Sequence, residues 1–267
     1  MKDKVVIITG ASSGIGKALA FELASQGCKL VLAARRIELL ETMQKDLAPA
    51  EVLLQQTDVS IEGDCRHLVQ AAVDRFGGID ILINNAGISM RAAFEDVELD
   101  VLRKLMDVNF WGTVYCTKFA LPYLLQKKGS LVGIISVAGY IGLPGRTGYS
   151  ASKFAIRGFL DTIRIENLNK GLHVLVAAPG FTASEVRKAA LIANGSPQGE
   201  TPRHEEKMMT AQACARHIVH AIEKRKRQLI LTFMEGKLSV LLSKFFPALI
   251  DRLTYNHMAK EPDSPIK

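Results

Sequence analysis

A doubly wound α/β fold, with about seven parallel strands and helices on both faces, is the class this sequence predicts. Short runs such as Lys4-Val5-Val6-Ile7-Ile8 recur along the chain, apolar at nearly every position and rich in β-branched residues. Runs of that kind mark parallel strands buried on both faces. Between them, apolar residues fall at helical spacing. At the first junction stands Thr9-Gly10-Ala11-Ser12-Ser13-Gly14-Ile15-Gly16, a glycine-rich turn between strand and helix.

Taken in order, Ile15, Ala18, Leu19 and Leu23 give the first helix a period that Gly27 stops. Lys29 to Ala33 reads as the second strand, and a helix over Glu38 to Leu47 closes before Pro49. Val52-Leu53-Leu54 is the third strand, and residues 64–75 form a helix ending at Gly77-Gly78. Ile79 to Ile83 is the fourth strand, 98–126 holds helical patterns, and Leu131 to Ile135 is the fifth strand. A helix opens around Tyr149, followed by a strand over Val174 to Ala178 that Pro179-Gly180 cuts off. Residues 181–209 have little periodicity and read as a long loop with short helices, a candidate substrate lid. A helix over Ala211 to Lys224 and a strand over Leu229 to Phe233 complete the body. The expected organisation is one catalytic domain over 1–235 and an amphipathic helical extension over 236–267.

The composition is that of an ordinary globular protein, 48% hydrophobic and 23% charged. The net charge is +7, and its densest run is Lys224-Arg225-Lys226-Arg227. No aromatics interleave that run and it ends a helix, so a solvated terminus is expected before a lipid-facing patch, and no nucleic-acid partner. Cys28, Cys65, Cys116 and Cys214 are far apart, which suits reduced, buried thiols. The six histidines form no metal-like cluster, and no metal is expected. Met1-Lys2-Asp3 leads straight into the first strand without a signal-peptide pattern, so the expected location is the cytoplasm.

Three features carry chemistry. Gly10, Gly14 and Gly16 let the backbone turn tightly and approach a pyrophosphate at a helix N-terminus. A structural strand–helix turn is the bland alternative. An NAD-binding fold usually carries an acid at the end of the second strand. Here Ala33-Ala34-Arg35-Arg36 stands there, and guanidinium groups suit a 2′-phosphate. Tyr149 and Lys153 are i and i+4 on one helix face. An ammonium one turn away stabilises a phenolate, and the pair is a candidate acid/base device.

The chain resembles the short-chain dehydrogenase/reductase family. Thr9 to Gly16 matches its glycine motif, and Asp58-Val59 its adenine-side Asp. Asn84-Asn85-Ala86-Gly87, Asn109, Ser136, Tyr149 with Lys153, and Pro179-Gly180 follow in the family's order. The resemblance implies a Rossmann-type fold and NADP(H) as cofactor. It assigns the cofactor site to Gly10, Ser12, Ser13, Gly14, Ile15, Gly16, Arg35, Arg36, Asp58, Val59, Asn85, Ala86, Gly87, Tyr149, Lys153, Pro179, Gly180 and Thr182. Ser136 would hold the substrate oxygen, Tyr149 would move the proton, and Lys153 would lower the tyrosine pKa and hold the nicotinamide ribose. Asn109 would position a water. Many members carry Thr farther beyond Pro-Gly; here Ser184 holds that place and Thr182 is closer.

The implied reaction is carbonyl reduction or alcohol oxidation on a small molecule, in a homodimer or homotetramer. A non-catalytic dinucleotide-binding regulator is disfavoured because a binder needs no proton device. The C-terminal region somewhat resembles hydroxysteroid dehydrogenase and membrane-linked reductase members. Leu238, Leu241, Leu242 and Phe245 predict an amphipathic helix that Pro247 breaks, with a second helix over Ala248 to Met258. Its apolar face is read as folding on the body or a partner subunit, with a membrane surface as the alternative.

Overall fold

The computed structural model describes residues 1–182, 187–199 and 208–266, apart from the side chain of Glu235. Seven parallel strands form one sheet: β1 (Val5–Thr9), β2 (Lys29–Ala34), β3 (Val52–Gln56), β4 (Ile81–Asn84), β5 (Ser130–Ile134), β6 (His173–Ala178) and β7 (Gln228–Ile230). Their order is β3-β2-β1-β4-β5-β6-β7. The chain runs outward from β1 to β3, then returns to β4 on the other side of β1. That reversal opens a crevice at the carboxyl ends of β1 and β4, where such sheets bind ligands.

Helices cover both faces. On one, α1 (Gly14–Ser25), α2 (Ile37–Asp46) and α7 (Ala211–Glu223) bury Leu19, Leu23, Leu40 and Ile218 against Val6, Ile8 and Leu32. On the other, α3 (Glu62–Phe76), α5 (Gly112–Gln126) and α6 (Thr147–Glu166) bury Leu68, Leu124, Ile156 and Leu160 against Ile7, Leu82 and Leu131. Strands with both faces covered must be apolar at every position, the pattern seen in the sequence. All four cysteines are buried and unpaired.

Residues 99–126 form one continuous helical rod with a change of winding. α4 (Leu99–Leu105) passes through a π-helical turn, Met106–Trp111, into α5. The wider turn carries Asn109, which is fully buried.

The described residues within 181–209 form turns and isolated bridges, Thr182 with Met209 and Leu191 with Met90 and Pro197, and the rest of that expected loop, 183–186 and 200–207, lies outside the described residues. Three features differ from the sequence expectation. The last strand ends at Ile230 rather than Phe233, because Thr232 takes a left-handed backbone (φ 65°) and Phe233 starts a π-helical turn. The first tail helix starts early, at the π-helical turn Phe233–Leu238, and ends in one α-helical turn, α8 (Ser239–Leu242), while Pro247 starts α9 (Pro247–Ala259) as its first residue. Finally, Val240 and Ile250 of the tail pack on Val137 and Ile141 with Leu242 of the expected face beside them, whereas Leu241 and Phe245 of that face point outward. Short helices on either side of an irregular turn share no common register, so spacing alone misassigned the face.

Candidate active site

The glycine turn sets the floor of the crevice. Gly10 and Gly14 have φ of 64° and 53°, in the left-handed region that side chains disfavour. A Cβ on Gly10 would lie 2.8 Å from Ala86 Cα, and one on Gly16 would lie 2.2 Å from Gly10 O. The backbone of the β4 end therefore presses directly on the turn. Asn85 Nδ2 donates to Thr9 O (2.9 Å) and Gly10 O (3.1 Å). Thr9 Oγ1 accepts from the backbone N of Asn85 and of Ala86, both at 3.0 Å. The two motifs are thus one locked unit, and Thr9, absent from the predicted site, is its pin. The motif contained it; its inward direction was not legible.

From this floor a cleft runs both ways. Gly10, Ser12, Ser13, Gly14, Ile15, Arg35, Arg36, Asp58, Val59, Asn85, Ala86 and Gly87 line one stretch, and Ser136, Tyr149, Lys153, Pro179, Gly180 and Thr182 line the other. Two predicted residues lie behind its wall. Gly16 packs beneath the turn. Asn109 holds the backbone of Ile88, accepting from its N (2.8 Å) and donating to its O (3.0 Å), and donates to Ser152 Oγ (2.9 Å). Ser184 lies outside the described residues.

At the β2 end, Ala34 is buried while Arg35 and Arg36 are exposed at the cleft mouth. The Asp58 carboxylate accepts from Ser60 N (3.0 Å) and Ser60 Oγ (2.7 Å), which fixes its loop. At the β5 end, Ser136 caps a short 3-10 turn, Val137–Gly139, by accepting from Ala138 N (3.2 Å).

Tyr149 and Lys153 sit one turn apart on α6, with the ammonium 5.7 Å from the tyrosine ring centre. Lys153 is buried and donates to Ile134 O (3.0 Å). Burial without a carboxylate lowers its pKa to about 8. Burial raises that of Tyr149, opposed by a hydrogen bond with Ser136 and by the charges of Arg146 and Arg187. This differs from the sequence expectation of a phenol lowered by Lys153. The desolvation that the helix spacing could not show is the larger effect. Arg146, Arg187 and Phe181 also line this end and come from loops without a motif.

The residues fit a bound dinucleotide. Gly10 and Gly14 line the cleft without a side chain, the start of α1 at Gly14 and Ile15 lines it too, and cationic side chains stand at its mouth. A dinucleotide cradle that ends at a tyrosine, a serine and a buried lysine defines an oxidoreductase of the nicotinamide-dependent class. The chain belongs to the short-chain dehydrogenase family, whose sequence profile, described as short chain dehydrogenase, matches residues 4–194.

Among its relatives, dehydrogenase/reductase SDR family member 7B of Rattus norvegicus is 34% identical over 273 residues, covering 99% of this chain and 84% of that one. 11-beta-hydroxysteroid dehydrogenase 1A of Arabidopsis thaliana is 38% identical over 238 residues, covering 84% of this chain and 67% of that one. Among solved structures, the alcohol dehydrogenase of Thermococcus sibiricus complexed with 5-hydroxy-NADP superposes with a TM-score of 0.74 at 26% identity, covering 85% of this chain and 94% of that one. Levodione reductase gives 0.74 at 28% identity, covering 86% and 95%.

Proposed function

We propose that the protein is an NADP(H)-dependent oxidoreductase interconverting a carbonyl compound and its alcohol, with Tyr149 as proton donor and acceptor. The observation that carries this reading is the meeting of Tyr149, Ser136 and Lys153 in the cleft that the glycine turn opens. Ser136 Oγ and the Tyr149 hydroxyl are the two groups that hold the substrate oxygen. Burial keeps Tyr149 protonated at neutral pH, ready to donate when the carbonyl carbon is reduced. Lys153 would hold the cofactor ribose, and Asn109 keeps the Ile88 backbone in place. When bound, the cofactor supplies or takes the hydride.

Arg35 and Arg36 support NADP(H) over NAD(H). Charge-assisted contacts contribute about 1.5–3 kcal/mol each, so a preference of roughly tenfold or more follows. The test follows absorbance of NADPH and NADH across ketones, aldehydes and hydroxysteroids. NADPH should be consumed with at least one class, and Arg35→Ala should weaken NADPH while leaving NADH nearly unchanged. Equal use of both cofactors by the wild type would overturn the preference.

A second reading, a membrane-associated lipid or steroid ketoreductase, is favoured by one observation. Phe233, Met234, Leu241, Phe245, Phe246 and Leu253 are all exposed on the tail. No helix among the described residues is long and apolar enough to cross a membrane, so such association would be peripheral. We infer a cytoplasmic homodimer or homotetramer. Exposed Trp111 and Phe154, on the rod and on α6, support a helix-to-helix subunit contact.

A further inference from the structure

The stretch after β4 carries more than the cofactor cradle requires. Met90 and Ala92 enter a small core of their own with Val97, Val101, Leu105 and Leu191, and Tyr149 packs against it. Three ties leave this stretch for distant parts of the chain. Arg91 N donates to Leu191 O (2.7 Å) and Leu191 N donates to Ser89 O (2.9 Å), which holds the segment that brings Ala189 to the cleft. Ala92 N donates to Gly145 O (3.1 Å), which holds the loop that brings Leu143 to the cleft. The Arg91 side chain reaches the tail instead. Its Nε faces Glu261 Oε2 at 3.7 Å, and its Nη2 donates to Pro262 O.

The tail completes the arrangement. A Cβ on Gly145 would come 2.7 Å from Pro265 Cγ, and Tyr255 Oη of α9 donates to Ile266 O (3.2 Å). Gly145 is thus held by Ala92 N and covered by Pro265. Its φ of 69° lies in the left-handed region, so the loop turns sharply at this point. The side chains of Arg91 and Glu261 are only 10% and 6% exposed. At 3.7 Å their contact is longer than a hydrogen bond, so charge holds it. An apolar contact of the same size would hold the tail as tightly, because burying two charges is costly. A buried pair adds a fixed position, since any slip parts two buried charges.

We propose that Arg91 is a positioning residue for the substrate. It fastens the tail to the small core on which Tyr149 rests, and so sets the shape of the substrate end of the cleft. This rests on the oxidoreductase reading and names a further residue of the same site. Arg91 is not among the residues lining the cleft. It acts through Gly145, which its neighbour Ala92 and the tail hold together, and through Leu191, which its own backbone holds. The cofactor cradle at Gly10 to Gly16 is pinned separately, by Thr9 and Asn85, and does not depend on it.

The test compares the full chain with Arg91→Gln, Arg91→Lys and a chain ending at Lys260. Hydrogen exchange is read first, without cofactor or substrate. In Arg91→Gln it should quicken about tenfold or more over 88–93, 142–146 and 188–193, the range of one charge-assisted contact, and stay unchanged in β1 and α1. The chain ending at Lys260 should show the same pattern, and adding Arg91→Gln to it should change little, because both act through one contact. Turnover is then followed with NADPH and benzaldehyde, cyclohexanone or progesterone. In Arg91→Gln, KM for the carbonyl should rise about tenfold, with kcat and NADPH affinity within about twofold. Arg91→Lys keeps the charge and should recover much of the lost KM. A lower melting temperature with unchanged KM would make Arg91 a residue of stability alone and overturn the proposal. So would unchanged exchange over the three segments, or an Arg91→Lys variant no better than Arg91→Gln. Exchange alone decides if the wild type turns over none of the three carbonyls. A wild type that binds no NADPH would instead bring down the oxidoreductase reading beneath.

Discussion

Tyr149 and Lys153 titrate against opposite effects of burial, which makes their pH behaviour testable. Tyr149 is raised, so it stays protonated through neutral pH. Carbonyl reduction, which consumes that proton, should hold level through neutral pH and fall as the solution approaches the phenol's pKa. Alcohol oxidation needs the phenolate and should climb over the same range; initial rates in both directions on one substrate pair check this. For Lys153, the folded value of about 8 lies below the ordinary 10.5. Below about 8 the lysine is charged in both states, and the cost of burying it is fully felt. Between the two values the unfolded chain holds a proton that the folded chain does not, so stability rises with pH, by at most about 1.4 kcal/mol per unit. Denaturant melts of the cofactor-free wild type against Lys153→Met should show the wild type gaining relative to the variant across that window. A constant difference would contradict a charged, buried Lys153. At this scale the motif residues were legible because their spacing is tied to strand ends and helix turns. Arg146 and Arg187 were not, since they stand in loops whose path no periodicity encodes.

At the scale of elements, the crevice depends on how closely β4 and the glycine turn approach. Gly16→Ala forces a methyl against Gly10 O. It should cost about 1–3 kcal/mol by overpacking and weaken the cofactor more than that loss of stability suggests. Thermal melts with and without NADPH measure both; an unshifted melt with full cofactor stabilisation would mean the turn has slack. The alternation of strands and helices was legible because apolar runs and helical spacing differ in period. The π-helical turn at Met106–Trp111 was not, because one extra residue in a turn leaves the surrounding apolar pattern nearly intact. His173 shows the same limit. Its two ring nitrogens bond Ser130 Oγ and Lys226 O, both at 2.9 Å, a buried polar contact in a strand that reads simply as apolar.

At the scale of the whole molecule, the tail returns to the body beside the substrate end. Arg91 pairs with Glu261 (3.7 Å) in a buried contact and also bonds Pro262 O, while Pro265 packs on Gly145, next to Arg146. The Phe181 ring lies 6.2 Å from His257. Truncation after Gly236 should therefore raise KM for the substrate while sparing the cofactor, whose cradle lies in the first half of the sheet. Light scattering and liposome flotation of the two forms report separately on subunit and lipid contacts of the exposed tail residues. Unchanged kinetics would show that the tail has no part in the site. The central claim, that this cleft performs proton-coupled hydride transfer through Tyr149, is tested most directly by single-turnover NADPH oxidation in Tyr149→Phe on a substrate the wild type reduces. The variant should bind NADPH as the wild type does and lose about 10²–10⁴-fold in rate; a variant that keeps most of the wild-type rate would contradict the account.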